Sequence, residues 1–120
     1  MNTRTDKYGG SFDKRMRFVR DIIMGIKQQC GADFPVSVRI NAEESLEGGI
    51  DISQAQRIAA ALEKAGADLI NVSCYTEGCI EPGTYPQGWK KHMAQAVRQA
   101  VSVPVLAVCN IKEPGMAETL

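Results

Sequence analysis

The chain has 120 residues, of which 44% are hydrophobic and 23% charged, with 14 basic residues against 14 acidic ones. This is the composition of one soluble globular domain, residues 1–120, long enough to bury roughly 65% of its unfolded surface. The even charge balance argues against nucleic acid or an anionic membrane as a partner. No apolar run approaches the roughly 18 residues of a bilayer span, and no signal-peptide core is present, so the expected location is cytoplasmic.

In chain order, residues 2–11 (NTRTDKYGGS) carry charge pairs and a glycine doublet without apolar periodicity, which predicts a loop. Ser11 is the expected N-cap of a first helix whose apolar stripe is Phe12, Met16, Val19, Ile23 and Ile26, with Gly31 as its stop. VSVRIN, residues 36–41, alternates as a strand. Ser53 and Gln56 have capping-box spacing for a second helix that presents Ile58, Ala59, Leu62 and Ala65 and closes at Gly66. DLINVS, residues 68–73, is the next strand. A long connection, residues 73–88, leads to a third helix from Trp89 to Val101, and VPVLAVCNI from Val103 is a strand expected to be buried on both faces. Pro114 suits the first position of a fourth helix.

This order is repeated βαβ logic and predicts an α/β fold with parallel strands and right-handed crossovers. Three strands are few for such a sheet, because a complete (β/α)₈ barrel takes roughly 250 residues. The expectation is therefore a partial barrel.

Strand parity locates the chemistry. Val36, Val38 and Ile40 share one face of their strand, while Ser37, Arg39 and Asn41 share the other. With the apolar face on the helices, Arg39 points to the opposite side, where it meets a ligand, pairs with an acid such as Glu43, or stays in solvent. The loops 41–51 and 73–88 are candidate binding loops in which Tyr75 and Tyr85 can cover a substrate, or are plain solvated connections. Amides after the last strand, near Asn110 and Ile111, can meet a phosphate, while His92 and Lys112 suit the surface. Cys30, Cys74, Cys79 and Cys109 are scattered, which predicts free thiols and no metal site.

NTRTDKYGGSFDKRMRF resembles the signature of the old yellow enzyme superfamily, in particular the NADH:flavin oxidoreductases related to 2,4-dienoyl-CoA reductase and 2-enoate reductase. The match runs through Asn2, Arg4, Asp6, Tyr8, Gly9, Gly10, Ser11, Arg15, Arg17 and Phe18, and departs at Lys14, where the family usually has Asn. DFPVSVRINAEE, EGG, LEKAGADLINVS and PVLAVCNIKEP extend it over essentially the whole chain. The resemblance implies a TIM barrel, of which this chain is roughly the fifth to seventh β/α units, with residues 2–11 as the connection after the fourth strand.

It further implies FMN as cofactor, NAD(P)H as reductant and reduction of an activated C=C bond in a small enoate, dienoyl or enone substrate. Arg39 corresponds to the fifth-strand arginine at the flavin pyrimidine edge, where a fixed positive charge favours the reduced cofactor. Cys109, Asn110 and Ile111 fall at the seventh-strand turn that offers amides to the FMN phosphate, with Cys109 and Asn110 in place of the usual glycines. Tyr75 falls in a substrate-proximal loop. No catalytic residue is assigned within the chain, because the family's proton donor lies upstream of the Asn2 motif. The competing expectation is a catalytically silent half-barrel that binds no flavin by itself. It would form a homo-oligomer through its exposed sheet edges or barrel interior.

Overall fold

The chain is described by a computed structural model covering residues 2–75, 85–108 and 110–120. Its elements are α1 (Phe12–Cys30), β1 (Ser37–Glu44), α2 (Ile52–Lys64), β2 (Leu69–Tyr75), α3 (Lys91–Ala100), β3 (Val105–Ala107) and α4 (Pro114–Glu118). The three strands form a parallel sheet in the order β1-β2-β3.

Local signals account for the first helix. The Ser11 hydroxyl accepts from the Lys14 amide at 3.4 Å, and Gly31 takes φ 102°, which a side chain would resist, so the helix stops there. Its predicted stripe faces inward: Met16 and Ile23 are buried, and Phe12, Val19 and Ile26 pack beside them. The second helix starts earlier than the Ser53 signal implies. Asp51 is the N-cap, its carboxylate accepting from the Gln54 amide at 2.7 Å, because an aspartate caps as well as a serine and Ile52 already takes the first helical position.

α2 packs on β1 and α3, and α3 lies over all three strands. The core between helices and sheet contains the fully buried Ile23, Leu62, Ile70, Met93 and Val97. Each such side chain contributes about 1.5–3 kcal/mol of apolar burial. α3 begins at Lys91, two residues later than predicted, since Trp89 is taken up in a flat stack on Tyr85 with ring centroids 3.6 Å apart. β3 is shorter than predicted and is not buried on both faces: Leu106 is 46% and Val108 42% exposed. β3 is an edge strand, and the helices cover only the side bearing Val105 and Ala107.

A charge-bearing tie closes the amino-terminal side of the sheet. Lys27 Nζ donates to the carbonyls of Ala32 (3.0 Å) and Phe34 (2.9 Å) and to Asp68 Oδ2 (2.6 Å), which also accepts from the Val36 amide (2.7 Å). The Lys27 ammonium and the Val36 amide both hold the Asp68 carboxyl below its ordinary range. A carboxyl with a depressed folded pKa adds stability that is complete above its unfolded value and disappears as pH falls through the folded one. Acid titration followed by circular dichroism is therefore expected to show stability falling below about pH 4. Asp68→Asn is expected to be less stable at neutral pH and to show a shallower acid limb. An acid limb identical to the parent's counts against this tie.

Candidate functional site

The site builds on the sheet face that carries no helix. β1 and β2 run in parallel register with Arg39 opposite Asn71 and Asn41 opposite Ser73, and Asn71 is in turn opposite Leu106 of β3. Because side chains alternate, Arg39, Asn41, Asn71, Ser73 and Leu106 share that face, while Val38, Ile40, Ile70 and Val72 belong to the core side. Arg39 is exposed and is the third of eight residues of β1, which continues three residues past the predicted end.

Its guanidinium donates to the Ser73 hydroxyl, Nη2 to Oγ 2.9 Å. Arg39 makes no ion pair to Glu43 or any other carboxylate among the described residues, in contrast to the pairs Arg4–Asp6, Arg20–Asp13 and Lys27–Asp68. Glu44 is engaged elsewhere, accepting from Asn41 Nδ2 at 3.0 Å and from the Ile50 amide at 3.3 Å. Beside Arg39 in register, Asn71 Oδ1 is shielded from solvent and has no hydrogen-bond partner. The cation, with donors to spare, suits a ligand edge carrying an anionic or carbonyl oxygen, whereas the Asn71 oxygen calls for an N–H or O–H donor. Applying the same parity to DLINVS as to VSVRIN would have singled out Asn71 and Ser73.

The signature loop ahead of α1 satisfies itself. Asn2 Nδ2 donates to the Tyr8 carbonyl at 2.7 Å, and Arg4 is paired side-on with the Asp6 carboxylate. Asp6 also accepts from the Tyr8 amide, and these contacts, Arg4 first, hold its carboxyl down at about 2. A Cβ at Gly9 would overlap the Arg4 carbonyl, and Gly10 takes φ 82°, so both glycines are required by the turn. Tyr8 meets Phe18 edge-on with centroids 6.3 Å apart. These residues fasten the loop to the helix.

At the other end, Asn110 adopts φ 53°, a left-handed conformation that asparagine tolerates better than most residues. Its side chain donates to the Tyr85 carbonyl at 2.8 Å, and Gln87 Oε1 accepts from the amides of Lys112 (2.7 Å) and Glu113 (3.0 Å). The turn after β3 is thus braced by residues 85–87, whose part nothing in the sequence foretold. No hydrogen bond joins Arg39 to this turn among the described residues. Cys109 and the Tyr75 side chain lie outside them, as does Cys79; Tyr75 closes β2 opposite Glu44. Cys30 and Cys74 are free thiols, and His92 is exposed. Among the described residues there is no cluster of three metal-binding side chains, and no helix is long and apolar enough to cross a membrane.

The model of one known family, the NADH:flavin oxidoreductase / NADH oxidase family, matches residues 1–120. The chain belongs to this family. It is 41% identical over 99% of its length to NADH oxidase of Thermoanaerobacter brockii, covering 19% of that protein. It is 37% identical over 99% of its length to NADPH dehydrogenase of Halalkalibacterium halodurans, covering 34% of that protein. Among solved structures, a 2-naphthoyl-CoA reductase complex superimposes with a TM-score of 0.89 at 30% identity, over 98% of this chain and 19% of that one. The chain thus spans about a fifth to a third of the length of these relatives. Its three-stranded parallel sheet is a partial barrel of the kind found in these reductases, and flavin and NAD(P)H use belongs to the family.

Proposed function

We propose that this chain forms the flavin-bearing β/α units of an FMN- and NAD(P)H-dependent oxidoreductase that reduces activated C=C bonds. The observation that carries the proposal is Arg39, an exposed cation on the helix-free face, oriented by a neutral hydroxyl and joined to no carboxylate among the described residues. The residues fit the cofactor: Arg39 matches the oxygen-rich edge of a flavin, and the unmet Asn71 acceptor beside it leaves that face one donor short. Arg39 would hold the pyrimidine edge, and the turn bearing Asn110 and Ile111 would lie towards the phosphate. When bound, FMN supplies hydride transfer between NAD(P)H and the substrate. The chain's own part is to bind and orient the cofactor with a fixed positive charge. Relatives named cinnamate reductase, from Clostridium sporogenes, and 2-naphthoyl-CoA reductase support a conjugated substrate.

Titrating FMN into the purified chain tests the reading by flavin fluorescence. Saturable, stoichiometric quenching is expected. A second reading, a flavin-indifferent half-barrel that self-associates, is favoured by the exposure of Leu106 and Val108 on the uncovered face. A folded, colourless oligomer in sedimentation with no FMN response would establish it instead.

A further inference from the structure

Arg39 needs a holder, because a long, exposed side chain with several rotamers presents no defined donor edge unless something fixes its plane. Register shows what does so. Asn71 stands directly opposite Arg39, and Ser73 is two residues further along β2, so the guanidinium that reaches Ser73 Oγ leans towards the carboxyl ends of the strands. The holder is half-buried and neutral. Of the two acids at the end of β1, Glu43 makes no ion pair with Arg39 among the described residues, and Glu44 accepts instead from Asn41 and the Ile50 amide.

We infer that Ser73 is the positioning residue of Arg39: its hydroxyl fixes the guanidinium across the β1–β2 boundary while leaving the positive charge intact for an anionic or carbonyl-bearing ligand edge. A carboxylate at this place would hold the arginine more firmly and neutralise it; an alanine would leave the charge but lose its direction. The hydroxyl is the functional compromise between the two. Asn71 Oδ1, opposite Arg39 in register, is shielded from solvent and has no hydrogen-bond partner, a state that is costly for an acceptor. The inference rests on the flavin reading for the identity of the ligand, but not for the geometry at Arg39.

Two measurements on the chain separate those parts. Nitrogen-edited NMR of the arginine side chains, in the absence of any flavin, is expected to show Arg39 with restricted guanidinium rotation in the parent and in Ser73→Thr, and free rotation in Ser73→Ala. Identical Arg39 signals in the parent and Ser73→Ala overturn the positioning role, whatever the flavin does. FMN titration is then expected to weaken about fivefold in Ser73→Ala and more than about twentyfold in Ser73→Asp, with Ser73→Thr close to the parent. Altered Arg39 rotation in Ser73→Ala, with no change in FMN affinity in either Ser73→Ala or Arg39→Ala, supports the positioning role and overturns the flavin reading.

Discussion

Ile70→Ala is expected to destabilise the chain by about 2–5 kcal/mol, the range for truncating a large aliphatic side chain in a packed core. Ile70 has no solvent exposure and lies on β2, the central strand, in register with Val38 on one side and Val105 on the other. The cavity left by its removal is therefore bordered by both neighbouring strands as well as by the helices above, and none of them can collapse into it freely. Against a total stability of roughly 5–15 kcal/mol for a domain, the loss lowers the melting temperature by about 10 °C or more. Leu106→Ala is the matched comparison. Leu106 is 46% exposed on the opposite face, one residue along the neighbouring strand from Val105, so its truncation is expected to cost under about 1 kcal/mol. Urea unfolding of the two variants decides which face is the core; equal losses would contradict the one-sided packing.

Arg39→Ala is expected to weaken FMN binding by about 10- to 100-fold while leaving the melting temperature nearly unchanged. Hydrogen bonds to a charged group are worth about 1.5–3 kcal/mol, and each 1.4 kcal/mol is a factor of ten in affinity. Arg39 is exposed and its bonding partner among the described residues is the Ser73 hydroxyl, so the fold has little to lose. Arg39→Lys is expected to recover only part of the affinity, because an ammonium is a point charge without the planar fork of a guanidinium. Fluorescence titration of the three proteins measures this, and an unchanged dissociation constant in Arg39→Ala would remove Arg39 from the cofactor site.

How legible the molecule was in its sequence depended on distance along the chain. Helix α1 was readable to the residue, because Ser11, its stripe and Gly31 all act within one or two turns. The start of α2 was read two residues late: two capping residues, Asp51 and Ser53, compete within the same turn, and only the hydrogen bond to Gln54 separates them. Trp89 is the predicted start of the third helix, yet the helix begins at Lys91 and Trp89 stacks on Tyr85 ahead of it. The facing of Arg39 followed from parity alone. Its partner did not: Glu43 was the near-sequence candidate, and Ser73, 34 positions away, is the group it meets.

The sequence by itself determined the order of helices and strands, the parallel sheet, the side of β1 on which Arg39 stands and the family to which the chain belongs. These depend on local periodicity, capping and motif, all of which are written in neighbouring residues. Only the tertiary structure decided that Arg39 is oriented by a neutral serine, that Asn71 is left with an unmet acceptor beside it, and that Gln87 braces the turn after β3. It also decided that Leu106 and Val108 face outward despite an apolar strand that reads as fully buried. Strand register and the covering of each sheet face are set by how distant segments pack, and an unbroken apolar run does not say which of its faces has a helix above it.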